Sequence, residues 1–245
     1  MEKGKLIIIM GPSGKGKTML ADAVIGSEHL GEDENEVVKT EKENSILYAP
    51  KYVTRDLKDG DTNVIQCSSD EMEKLCDVII PGYRDGDLIG FNVSEIFKQI
   101  DEGKTLVIAT GFMKALQEIL KKFIDEDRLN DIFMVGMNTF DKDKSNISKL
   151  TEDANSDDED ISDDASKRLE QSAIFVKQFK EFKPMFDFIV TNYDARYENL
   201  SGEGAIVCLH AQRSLDRDDD EQIETINNFI TCDLSEYTID PAKEM

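Results

Sequence analysis

Eight consecutive residues near the amino end, Gly11-Pro12-Ser13-Gly14-Lys15-Gly16-Lys17-Thr18, carry the most legible chemistry of this chain. Their spacing is G-x-x-x-x-G-K-[ST]. Glycines let the backbone curl until successive N–H groups face one point, an arrangement that suits phosphate oxygens. Lys17 adds a point charge for the outer phosphates, and Thr18 offers a hydroxyl to Mg²⁺. Gly11, Ser13, Gly14, Lys15, Gly16, Lys17 and Thr18 are therefore the expected ATP-binding residues. Lys17 is also a catalytic candidate, Thr18 the metal ligand, and Mg²⁺ the cofactor. Residues 19–25 predict a helix whose positive end adds to the cradle.

Such a loop needs a strand before it and a helix behind it, and the rest of the chain repeats that alternation. Apolar strand-like runs fall at 5–10, 46–48, 105–110, 132–137, 186–191 and 205–209. Helical spacing falls between several of them. At 93–102, Ile96, Phe97 and Ile100 share a face and Gly103 follows as a stop signal. At 112–123 the inward set is Leu116, Ile119, Leu120 and Phe123. From about 164 to 182 it is Leu169, Ala173, Val176 and Phe179, and from about 219 to 230 it is Ile223, Ile226 and Phe229. Strands alternating with helices over short connections predict an α/β fold, a mainly parallel sheet covered on both faces. Ligands of such sheets bind beyond the carboxyl ends of the strands, where the glycine loop lies.

Composition narrows the partners. The 245 residues hold 52 acidic against 29 basic side chains, a net charge of −23. A surface of that sign repels nucleic-acid backbones and acidic membranes, so neither is an expected partner. A few focused cations can still make a phosphate site, and those near glycines or at the ends of apolar runs are the ones to follow. No apolar run reaches membrane-spanning length, and Leu6–Met10 is too short for a signal-peptide core. Four cysteines without C-x-x-C spacing and two distant histidines point to reduced thiols in a cytoplasmic protein rather than to a zinc site.

Two stretches break the rhythm. Residues 52–91 mix short strand-like pieces (63–66, 78–80) with one helix-like piece (70–76) and read as a small inserted lobe, the core being 1–51 and 92–245. Residues 151–164 are acidic and nearly free of large apolar side chains, and read as a solvated loop or a lid hinge. Their carboxylates lack the spacing of a calcium loop. Residues 32–43 read as a second acidic surface excursion.

The order of these parts resembles the guanylate kinase family over most of residues 5–194. Gly11 to Thr18 is similar to that family's G-P-S-G-x-G-K-[ST]. Val53-Thr54-Arg55-Asp56-Leu57-Lys58-Asp59-Gly60-Asp61 resembles T-T-R-x-x-R-x-G-E, and Asp85-Gly86-Asp87-Leu88-Ile89-Gly90 stands where the family has G-N-x-Y-G. Residues 93–106, ending Glu102-Gly103-Lys104-Thr105-Leu106, resemble its helix, E-G-K turn and next strand. Ala165-Ser166-Lys167-Arg168-Leu169 resembles the lid-helix I-x-x-R-L, and Phe188 to Asp194 the strand ending V-x-N-D-D. The resemblance implies a three-layer P-loop NTPase core, an acceptor-binding lobe, a lid at about 142–180, and phosphoryl transfer from ATP to a small phosphorylated acceptor. A nucleoside monophosphate such as GMP or dGMP is the default. Arg55 and Lys58 would hold the acceptor phosphate, Arg168 would steady the migrating group as a catalytic residue, and Asn192 would lie near the adenine.

Departures from the family are as informative. Its acidic guanine reader falls at about Ile80, its phosphate-contacting tyrosine at Leu88, and its strand-end D-x-D pair at Ala109-Thr110-Gly111. Thr110 can hydrogen-bond a base or a metal-bound water but brings no charge. Tyr83 and Arg84, between Gly82 and Gly86, offer a replacement contact to another phosphorylated acceptor, a sugar phosphate included. A nucleotide-binding regulator or slow NTPase fits the missing aspartates. A non-catalytic interaction module fits less well, because scaffold proteins with this fold tend to lose the phosphate loop that this chain keeps.

Overall fold

The computed structural model describes residues 3–12, 16–26, 46–57, 61, 63–82, 86–137, 153–156, 159–190 and 219–237. In chain order its elements are β1 (Leu6–Met10), α1 (Lys17–Ile25), β2 (Ile46–Tyr48), β3 (Lys51–Val53), β4 (Val64–Gln66), α2 (Ser69–Leu75), β5 (Val78–Pro81) and β6 (Leu88–Phe91). They continue with α3 (Val93–Asp101), β7 (Thr105–Thr110), α4 (Met113–Asp125), β8 (Ile132–Met137), α5 (Glu159–Glu181), β9 (Phe188–Val190) and α6 (Asp220–Thr231). The expected strand at 205–209 lies outside the described residues.

β1 is why the central sheet is parallel and covered. All five of its residues are wholly buried, so it has no wet face. The sheet order is β2-β7-β1-β8-β9, and every pairing in it is parallel. Leu6, Ile8 and Met10 join Leu106, Ile108, Ile132 and Met134 on one face, against α3, α4, α5 and α6. Ile7 and Ile9 join Val107, Phe133 and Val135 on the other, against Leu20, Ala21 and Val24 of α1. The result is three layers, helix on sheet on helix.

A second sheet, β4-β3-β6-β5, is built from the residues between β2 and α3. β3 pairs parallel with β4 and antiparallel with β6, and β5 is antiparallel to β6. Val78, Ile80 and Phe91 belong to the same apolar cluster as the α4 side chains, so this sheet is seated on the main core. The chain passes from one sheet to the other through Ala49 and Pro50, where Ala49 N–H still donates to Val107 O (2.9 Å).

Two expectations need correction. The acidic stretch does not stay a loop to residue 164. α5 starts at Glu159, and Ser162 Oγ donates to Ala154 O (2.6 Å), tying its first turn to the segment before it. Carboxylates are well placed there because the amino end of a helix carries partial positive charge. Lys167 and Asp163 add an ion pair one turn apart (3.0 Å). The buried stripe of α5 also runs through Phe175, Gln178, Phe179 and Phe182, whereas Leu169, Ala173 and Val176 are only half-buried. Rings packed on one another set that register, with Phe175–Phe179 centroids 5.7 Å and Phe179–Phe186 centroids 5.0 Å apart.

The approach to β1 is tight. Gly4 N–H donates to Ile100 O (3.0 Å), and a β-carbon at Gly4 would stand 1.9 Å from the backbone oxygen of Lys104. Backbone cannot swing aside as a side chain can. Gly4→Ala is expected to cost about 3 kcal/mol, a fall of roughly 10 °C in Tm. Thermal denaturation checks it, and an unchanged Tm would refute the collision.

Candidate functional site

The glycine loop leaves β1 at its carboxyl end. There Met10 is flanked by Thr110 of β7 and Gly136 of β8. Gly16, the N-cap of α1, has φ 75° and ψ 17°, the left-handed conformation that the motif's glycine supplies without strain. Lys17, at the start of α1, turns back over the loop. Its Nζ donates to Pro12 O (2.6 Å). A β-carbon on Gly11 would stand 3.3 Å from Lys17 Cγ, so the lysine stem occupies the space that glycine leaves. Thr18, in the same first turn, is exposed.

Burial pulls the Lys17 ammonium down to about 7, and the positive charges of Lys51 and then Arg168 push the same way. Three cations from three elements thus crowd one place in a chain of net charge −23. Arg168 comes from α5, where it is half-buried and shares a face with Ala165, Ser172 and Phe175, which places it on the inward side. Lys51 opens β3. Its own ammonium is lowered by burial first, favoured by Asp61 and disfavoured by Arg55.

Arg55 lies two residues beyond β3. Its guanidinium forms a two-pronged pair with Asp61, Nη1 to Oδ2 (2.8 Å) and Nη2 to Oδ1 (2.9 Å), and Nη1 also donates to Asp56 O (2.7 Å). The turn is latched to β6 by Leu88 N–H donating to Thr54 Oγ1 (2.8 Å) and Thr54 N–H donating to Leu88 O (3.2 Å). Ile80 is wholly inside the core and Leu88 is half-buried, so neither puts a polar group on this wall. Thr110 is buried, and its Oγ1 accepts from Phe112 N–H (3.2 Å).

One further contact ties the edge strand of the main sheet to the loop helix. The Tyr48 hydroxyl of β2 donates to Asp22 Oδ1 (2.6 Å) and lies 3.2 Å from Thr18 O, both on α1. Burial and the Asp22 carboxylate hold this phenol far above its ordinary range. β2 is thereby fixed to the first turns of the loop helix, three residues before Lys51.

Of the residues singled out in the sequence, Gly11, Gly16, Lys17, Thr18 and Thr110 gather at the carboxyl ends of β1 and β7, and Arg168 reaches Lys17 electrostatically. Arg55 is connected to Lys17 through Lys51, which senses both. Ser13, Gly14, Lys15, Lys58, Tyr83, Arg84 and Asn192 lie outside the described residues. Sequence reading passed over Lys51, Asp61, Tyr48 and Asp22. Lys51 had a signal, a cation at the end of an apolar run, whereas the Tyr48–Asp22 contact spans 26 residues and had none.

Other chemistries find less support. Burial raises the thiols of Cys67, Cys76 (to about 12) and Cys232, the opposite of nucleophile activation. Among the described residues no three His, Cys, Asp or Glu side chains converge to bind a metal by themselves. Mg²⁺ shared with phosphates needs only one or two protein oxygens. The exposed Thr18 hydroxyl is such a donor. No helix among the described residues is long and apolar enough to cross a membrane.

No protein-family model matches the chain, and no curated protein matches it. Among solved structures it is similar to the guanylate kinase from Anaplasma phagocytophilum, with a TM-score of 0.52 at 12% identity over 87% of this chain and 89% of that one. At that identity the likeness extends to the fold, a mainly parallel sheet with helices on both faces.

Proposed function

We propose that this protein is an ATP-dependent kinase that transfers the γ-phosphoryl group to a small phosphorylated acceptor, by default a nucleoside monophosphate. The observation that carries the reading is the crowding of Lys17, Lys51 and Arg168 at the carboxyl ends of a parallel sheet, beside a glycine loop. Cations that raise each other's energy are stabilised when an anion enters. Phosphoryl transfer asks for this kind of positioning and charge rather than a covalent nucleophile. Lys17 holds the outer phosphates against the loop amides, and Arg168 brings charge from α5 to the group in flight. Arg55 meets the acceptor phosphate, with Asp61 aligning its planar fork. Thr18 would hold Mg²⁺, which would supply positive charge to offset that of the phosphates. Among the described residues Thr110, at the strand end, supplies a hydroxyl and no charge.

A coupled ADP-release assay over GMP, dGMP, other nucleoside monophosphates and sugar phosphates tests the proposal. In it, Arg55→Ala is expected to raise the acceptor KM about tenfold or more while leaving the ATP KM close to wild type. An unchanged acceptor KM removes Arg55 from that role.

A second reading is favoured by one observation. Thr110 stands where a charged strand end would support the chemistry, which fits a nucleotide-binding regulator or slow NTPase. ADP release independent of every acceptor, alongside tight ATP binding, would select it.

A further inference from the structure

Lys51 belongs neither to the glycine loop nor to the arginine turn, yet it stands between them. Its backbone is fixed on both sides. It pairs with Val64 across β4 and with Phe91 across β6, and its N–H donates to Asn63 O (3.3 Å). Upstream, Tyr48 ties the preceding strand to Thr18 and Asp22 at the head of α1. Downstream, four residues on, Arg55 is locked to Asp61. The side chain is half-buried. Among the described residues its ammonium makes no hydrogen bond and no ion pair; at longer range Asp61 favours its charge, Arg55 opposes it, and it in turn opposes the charge of Lys17.

A core lysine serving only structure would be paired or would extend its tip to water. Here the stem is held in a rigid strand, and the tip lies among the charges of Asp61, Arg55 and Lys17 without bonding to any of them. Of the described residues on this side, neither Ile80 nor Thr54 is free to read a base edge. Ile80 is sealed in the core, and Thr54 Oγ1 is already engaged by Leu88 N–H. What this part of the cleft offers is charge.

We propose that Lys51 is a phosphate-binding residue set between the donor loop and the arginine turn, and that the acceptor is selected by anionic groups at two places, one on Arg55 and one on Lys51. The inference rests on the kinase reading and names the class of its acceptor. Compounds with two phosphate groups are favoured over monophosphates that depend on a base for recognition.

Titration calorimetry with Mg-ADP filling the donor site and inorganic pyrophosphate as the acceptor-side probe tests it. Wild type is expected to bind pyrophosphate. Lys51→Met is expected to weaken pyrophosphate by about ten- to a hundredfold, the range of a lost charge-assisted hydrogen bond, and to change Mg-ADP affinity much less. Lys51→Arg restores binding, which a merely structural loss would not allow. The proposal is overturned if wild type saturated with ADP ignores pyrophosphate, or if Lys51→Met binds it as wild type does. It is also overturned if Lys51→Met and Lys51→Arg both lose ADP and pyrophosphate together. Failure of the kinase reading is distinct: wild type then binds neither Mg-ADP nor Mg-ATP.

Discussion

Lys17→Ala is expected to reduce Mg-ATP affinity by about a hundredfold or more, since a charge-assisted contact to the outer phosphates in a half-buried site is worth several times a neutral one. The same substitution is expected to leave the unliganded protein as stable as wild type, or more so. Lys17 is held among Lys51 and Arg168 with its charge opposed by burial, so the fold bears a cost for it rather than a benefit. Its hydrogen bond to Pro12 O is local to the loop. Calorimetry for affinity and thermal denaturation for stability check the two halves together. Retained ATP binding would remove the loop as the donor site. A large loss of Tm without ligand would show that Lys17 is structural.

A proton is expected to accompany the nucleotide into the site. In the unliganded chain Lys17 titrates at about 7, well below its ordinary 10.5. A bound triphosphate supplies the countercharge and restores the protonated form. Between those limits the complex carries a proton that the free protein lacks. At pH 8 to 9, where the phosphates are fully ionised, binding should take up about one proton and ATP affinity should fall about tenfold per pH unit. Below pH 7 the lysine is already charged and the dependence flattens. Stability of the free protein runs the opposite way: between pH 7 and 10.5 the unfolded chain binds more protons, so stability rises with pH across that window. Burial sets this behaviour first, and the charges of Lys51 and then Arg168 add to it. Calorimetry repeated in buffers of different ionisation enthalpy reads the proton directly, and a buffer-independent enthalpy at pH 8.5 would refute the linkage.

The main sheet was legible because its strands are buried on both sides and so read as unbroken apolar runs, as at Leu6–Met10 and Ile132–Met137. Helices with a wet face were legible too. α4 hides Leu116, Ile119, Leu120 and Phe123 as its spacing predicts. β3 and β6 were not, since β3 opens on a lysine and β6 is broken by Gly90, so neither reads as an apolar run. The start of α5 was hidden by its acidic composition, because hydrophobic spacing is silent where carboxylates rather than apolar side chains favour the first turn. At the site, the glycine loop announced itself by covalent pattern. Lys51 showed only as a cation after an apolar run, and its place at the junction exists only once the two sheets meet.

Tyr48 hangs from the strand that leads into the second sheet, and its phenol rests on the head of the helix behind the glycine loop. That strut couples the proposed donor seat to the strand that leads toward the proposed acceptor seat. A mutation that refits one seat for a new guest is felt at the other, so drift toward a different acceptor on this frame must either spare the phenol or rebuild both ends at once.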